Sequence, residues 1–248
     1  MGNLIKAELF KLRKDRSFWT LTLILMGIAI LYPLLIVFDG DGAHTKVNEF
    51  YMYNIIGTNN YVTRLVPCIL AGFFISSEFS MGTMKSIVAS GNNRIRIYFA
   101  KLIVFTIGAV SVSLILPLFM TAASAFYFDF NSMPEITYFF RTVGLIALYA
   151  AALAAIMALF AKIFTDSGKT IGFLLIFFIL IDSILFALSA KFSWFEPVFN
   201  YSVFKLLADF SQLSLSSSEL LKLVIVPFVT FIVFGLIGGL VFQKKEIK

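Results

Sequence analysis

The sequence predicts an all-α, polytopic integral membrane protein with six transmembrane helices, a short N-terminal interfacial helix and both termini on the cytoplasmic side. Three observations carry this. The 248 residues are 60% hydrophobic and only 14% charged, with 30 Phe, a composition outside that of soluble domains. Apolar runs of about 20 residues, long enough to cross a hydrocarbon layer of roughly 30 Å as helices, recur six times. Lys and Arg also alternate between heavily and sparsely loaded connections, as the positive-inside rule requires.

The six runs are placed near residues 18–38, 61–77, 102–127, 142–161, 170–190 and 223–242. The first follows Lys11, Arg13, Lys14 and Arg16. It is too long for the apolar region of a signal peptide, and FDGDGAH after it offers no small-x-small cleavage site, so it counts as a span. Position 6 is Lys, where N-myristoylation needs Ser or Thr. With the N-terminus inside, the cytoplasmic segments hold five, four, two and three basic residues, fourteen of the twenty, ending with Lys244, Lys245 and Lys248. The outer side and Asp182 account for nine of the fourteen acids, including Asp39, Asp41 and Glu49. The net charge of +6 is explained by this asymmetry and calls for no nucleic-acid partner.

Residues 1–17 form the interfacial element: in NLIKAELFKLRKDR, Ile5, Leu9 and Leu12 make an apolar stripe beside a basic surface. The second span is weakly apolar at its outer end, NNYVTR, which places Thr63 and Arg64 towards an interior path; snorkelling of Arg64 to outer headgroups is the alternative. Span four carries two small-residue rows, Ala147, Ala151 and Ala155, and Ala150, Ala154 and Ala158. Span six carries Gly235 and Gly239 at the same spacing. Such rows let helix backbones approach closely, within the chain or across a dimer. Asp182 is the one acid deep in a span. It is expected to face the bundle or a cavity and to find a donor there, as a functional group or as a structural bond through Ser183 or the polar end of span two. Pro33, Pro67, Pro117 and Pro227 fall in or near spans and can kink them.

Two connections are more than linkers. Residues 78–97 form a cytoplasmic segment in which TMKSIVAS makes two helical turns between Gly82 and Gly91. Residues 191–222 form a long outer segment rich in aromatics, with Trp194, Phe195 and Phe199 suited to the membrane interface or to burial.

Chemistry-bearing motifs are few. Ser167-Gly168-Lys169-Thr170 matches the tail of a phosphate-binding loop, but the first glycine of that loop would fall on Ile163, and apolar helix flanks it on both sides, so it reads as a polar turn between spans. His44 is the sole histidine and Cys68 the sole cysteine, which leaves no catalytic triad, disulfide framework or metal site.

The most specific stretch is Glu78-Phe79-Ser80-Met81-Gly82-Thr83-Met84-Lys85. It resembles the E-[FY]-x-x-G-T-[LM]-[KR] run that leads into the coupling helix of type-2 ABC export permeases, and the resemblance extends over the whole chain as one permease domain, 1–248. It implies that Glu78, Gly82, Thr83, Met84, Lys85, Ser86 and Gly91 couple the permease to a separate ATPase subunit. It also implies that the outer segment folds as short helices capping the exit path. Two ATPase copies would hold ATP and Mg; the chain itself would bind no cofactor and catalyse no reaction. A second copy or a sister permease would complete the pore, with Thr63, Arg64, Asp182, Trp194, Phe195 and Phe199 along the substrate path.

Size and composition further resemble bacterial plasma-membrane permeases that expel bacitracin, lantibiotics or phenol-soluble modulins, which points to an amphipathic peptide or hydrophobic drug as substrate, entering from the inner-leaflet lipid. Glu78 is expected to fix the angle between span and coupling segment by accepting backbone donors or pairing with Lys85 or Arg94. Two other classes compete. One is an ion-coupled secondary transporter using Asp182, for which inverted repeats would speak; the other is a membrane anchor or sensor without transport.

Overall fold

A computed structural model describes every residue except 41–44, 90, 129, 212–214 and 246–248; Asp41, His44, Ser90 and Lys248 therefore lie outside the described residues. Six helices are long and apolar enough to cross a membrane, and no strand occurs among the described residues. Helix α1 is Gly2–Lys14, followed after Asp15 by the first span, α2, Arg16–Phe38. The remaining spans are α3 (Val47–Ser80), α5 (Arg94–Tyr127), α6 (Ile136–Ile163), α7 (Ser167–Lys191) and α10 (Ser217–Lys244). Between them lie α4 (Thr83–Ala89), α8 (Glu196–Asn200) and α9 (Val203–Asp209).

The helices overrun the apolar cores from which they are predicted. α3 starts at Val47, well before the apolar run at 61–77, because polar residues such as Asn59 and Thr63 are buried against protein and hydrogen-bond each other (3.3 Å). α5 likewise starts at Arg94, where the Asn93 side chain caps it by accepting from the Ile95 N–H at 2.9 Å. α10 begins at a capping box in which Ser216 and Glu219 satisfy each other's backbone donors, inside the range read as outer segment.

α6 is the axis of the bundle. Ala150, Ala154 and Ala158 are at most 1% exposed, and Ala152, Ala155 and Ala161 are fully buried, so α5 and α10 approach its backbone closely. Ala147 and Ala151, in the parallel row, are only half-buried. On α10, Gly235 and Gly239 face Leu102, Tyr98 and Phe99 of α5 and so serve packing within the chain. The tightest approach is at Gly238, where a Cβ would lie 2.0 Å from the Tyr98 hydroxyl. At Gly72 a Cβ would meet Ile171 of α7 at 2.3 Å. Both close approaches require glycine.

Three π-helical turns interrupt the inner spans, at Tyr51–Ile55 and Ala71–Ser76 in α3 and at Leu116–Met120 in α5. α2, α7 and α10 stand outside, with exposed Leu23, Ile24, Ile176, Ile179, Leu236 and Leu240 turned away from the core, as lipid-facing helices require. At one end of the bundle Tyr51 and Thr142 share a buried 2.6 Å hydrogen bond between α3 and α6. The last turn of α10, α1 and α4 gather at the other end, called here the terminal end, where Arg94 donates to the Lys245 carbonyl at 2.8 Å.

Candidate coupling site and membrane-embedded ion pair

α1 lies against α5 through Leu12, which seats over Gly108. The predicted stripe is only partly the buried one: Leu9 is 37% exposed, whereas Glu8 is buried beside Leu12. The acid turns inward because cations await it. Lys101 of α5, fully buried, donates to Glu8 and to Glu78, each at 2.8 Å. Lys11 completes the set at 3.1 Å from Glu8 and 3.0 Å from Glu78. Two carboxylates and two ammonium groups thus alternate, and the Phe74 ring lies 4.9 Å below the Lys101 Nζ. Burial by itself would lower the pKa of Lys11, but Glu78 and Glu8 beside it hold it above its ordinary value.

Glu78 therefore joins three elements: the end of α3, the interfacial α1 and the start of α5. Its partners are not those expected from sequence. Lys85 is exposed, and Arg94 is engaged with the carbonyls of Gln243 and Lys245. Proximity in sequence favoured both, but the last turn of α3 directs Glu78 inward, towards α1 and α5. Glu8 and Lys101 escaped the sequence reading because a charge rule counts signs and does not pair them. The available signal was Lys101 embedded in FAKLIVF, a basic residue where a membrane helix requires a partner.

Beyond Glu78, Thr83 donates to the Glu78 carbonyl at 3.3 Å, and α4 follows, bounded by Gly82 at φ +71° and Gly91 at φ +80°. Both glycines occupy the left-handed region that other residues adopt at a cost. Met84 is 1% exposed and anchors α4 to the bundle, while Lys85 and Ser86 point outward. The element is a short rod with one buried pin and an open outer face.

In the spans, Arg64 of α3 and Asp182 of α7 form an ion pair, and Arg64 also donates to the Phe204 carbonyl of α9 at 2.9 Å. The Arg64 side chain is 7% exposed and does not snorkel; Asp182 is 41% exposed. Thr63 is buried and bonded to Asn59 of the same helix. Trp194, Phe195 and Phe199 are placed differently: Trp194 meets Phe192 and Phe195 just beyond α7, and Phe199 meets the exposed Phe186 of α7. The aromatic residue joined to Arg64 is instead Phe204, through its carbonyl, while its ring packs on Phe177 and Phe178.

The Ser167–Thr170 turn is the first turn of α7. Asp166 caps it, accepting from the Lys169 N–H at 2.8 Å, and the Thr170 hydroxyl donates to the Asp166 carbonyl at 2.8 Å. Thr170 and Ser76 also share a buried 2.8 Å bond that ties α7 to α3. The N–H that a phosphate would engage is occupied by the cap. No group of three or more His, Cys, Asp or Glu side chains suited to a metal occurs among the described residues.

Five spanning helices round the alanine-rich sixth, with an amphipathic helix ionically clamped to the bundle beside a glycine-bounded rod, define a multi-pass membrane protein. The family model for the ABC-2 family transporter proteins matches residues 4–183, and the chain belongs to that family. It is an ABC-2 type permease, the membrane component of a transport system whose members generally work with an ABC ATPase. The match takes in α1, the ionic clamp, α4 and Asp182, and ends before α8 to α10. Comparison with curated proteins finds no match.

Proposed function

We propose that the chain is the membrane half of an ATP-driven exporter in a bacterial plasma membrane, with both termini and α4 in the cytoplasm. Two copies of an ABC ATPase dock on the outer face of α4, and a second permease, identical or related, completes the pathway. The chain supplies no ATP site of its own; ATP and Mg bind the ATPase.

The observation that carries this reading is the bond between Glu78 and Lys101. A force applied to α4 reaches the spans only through an element that contacts both and holds discrete positions. Glu78 meets that need: it ends α3, precedes α4 and is clamped to α1 and α5. ATP-driven closure of the ATPase pair would move α1 and α4 together and repack the spans. An amphipathic peptide or hydrophobic drug, its apolar face already in the inner leaflet, would enter sideways and leave past the short helices α8 and α9.

A disulfide or bifunctional crosslink from Ser86→Cys to the ATPase, together with export of a peptide and drug panel by the reconstituted complex, tests this. Crosslinking that depends on α4 and export that requires ATP hydrolysis are expected; transport by the permease alone, driven by an ion gradient, would refute it. That rival depends on Asp182 as an ion-binding carboxylate, and its engagement by Arg64 weighs against it, since the guanidinium already occupies the carboxylate as its counter-ion.

A further inference from the structure

A groove of about 400 Å³ opens at the terminal end between the last turns of α6 and α10, lined by Lys162, Ile163, Val241, Lys244 and Lys245. Three of the five are lysines and none is acidic. Lys162 is 1% exposed, and its Nζ has no hydrogen-bond partner and no ion pair among the described residues. The rings of Phe79 (5.0 Å) and Phe242 (4.7 Å) flank it instead. The carboxylates of Glu8 and Glu78 are bonded to Lys11 and Lys101, and neither is bonded to Lys162.

Lys245 donates to the carbonyls of Lys162 and Ile163, the latter at 3.2 Å. It thereby caps the end of α6 with two of its three protons. Lys244 is exposed and borders the same groove. The groove thus combines a buried amine that has no anionic partner among the described residues with two lysines at its rim, an arrangement that a bound anion would complete.

From this arrangement we infer that the groove binds the phosphate of an anionic phospholipid. The source is a lipid and not a free anion for two reasons. The groove sits at the ends of two spanning helices, at the depth where headgroups lie. Its lysines also stand over apolar surface: Ile163 and Val241 line it, and Leu240, Ile237 and Leu236 continue along the exposed face of α10, where an acyl chain can lie. Lys244 and the free proton of Lys245 meet the phosphate, and a phosphate held there gives the buried Lys162 amine beneath it the counter-charge that it otherwise lacks. The inference does not depend on the transport reading.

Native mass spectrometry of the full chain in detergent, titrated with short-chain phosphatidylglycerol or phosphatidylcholine, tests it. Retention of one phosphatidylglycerol in preference to phosphatidylcholine is expected, weakened about fivefold by K244Q and about 25-fold by K244Q/K245Q, at roughly one lysine's electrostatic contribution each. K244Q removes no hydrogen bond of the fold, so its result stands even where K245Q loosens α6. Equal retention of the two lipids, or an unchanged K244Q, overturns the site. Displacement of phosphatidylglycerol by millimolar inorganic phosphate overturns the lipid assignment and makes the groove a site for soluble anions.

Discussion

Glu78, the final acid of the second span, accepts the buried Lys101 Nζ at 2.8 Å from a helix that begins only after the intervening rod. Each keeps a second partner, Lys101 with Glu8 and Glu78 with Lys11, so removing one of the two should cost about 1.5–3 kcal/mol, the worth of a charge-assisted hydrogen bond. Glu78→Gln and Lys101→Met should each lower the unfolding free energy of the purified permease by that order, and the double variant should lose much less than the sum. Additive losses in this double-mutant cycle would show that the two charges do not act on each other.

Gly82 and Gly91 hold the left-handed conformations that bound α4. Valine at each would cost roughly 1–2 kcal/mol of local strain and rotate the rod against its Met84 anchor. The Gly82→Val/Gly91→Val permease should insert and dimerise normally, while substrate no longer stimulates the ATPase and export stops. Survival of both activities in proteoliposomes would exclude α4 as the transmitting element.

Gly238 leaves no room for a methyl group against Tyr98, whereas Gly172 on the exposed side of α7 has nothing within 4 Å of its Cβ position. Gly238→Ala should therefore destabilise by about 1–3 kcal/mol through overpacking. Gly172→Ala should cause no loss. Unfolding curves for the two variants in the same detergent make the comparison, and equal effects would contradict the packing described.

Asp182 neutralises a guanidinium that is 7% exposed. Asp182→Leu should lose about 3 kcal/mol, the lower end for a stranded buried charge, because Asp182 is itself 41% exposed. Adding Arg64→Leu should recover most of that loss. Transport by the double variant then separates two roles: normal coupled turnover identifies a structural brace, and lost export with restored stability identifies a group on the substrate path.

Lys169→Ala should change nothing in nucleotide binding, because the permease alone is expected to bind none. The Lys169 N–H belongs to the cap made by Asp166. Equilibrium dialysis with labelled ATP reads this directly; affinity that disappears with Lys169→Ala would reverse the assignment.

Spans, the interfacial helix and the glycine-bounded rod were legible because each rests on local signals: apolar length, charge placement, and glycine where the chain must turn. The Asp182 donor was also within reach, since a deep acid requires one and span two offered a polar end. The partners of Glu78 were not legible, because pairing across 67 residues with Lys11 depends on how helices cross. Apolar pattern likewise gave no hint that α3 would extend back to Val47, since its first turns are held by burial against protein and not by contact with lipid. Gly238, one residue from a recognisable small-residue row, is the tightest contact for the same reason: the row gives a face, and only the partner helix selects the position.

The π turns in α3 and α5 give the inner helices a property that their straight neighbours lack. Each holds one residue more than an α turn of the same height, a slack loop that stays hydrogen-bonded and so can exist at membrane depth. Taking up one such residue turns everything beyond it by about 100° around the helix axis with a rise of only about 1.5 Å. The Ala71–Ser76 turn lies directly before Glu78. Two of the three buried helices thus carry their own swivels beside an unbroken α6, and the outer ones, which show none among the described residues, form the frame around them.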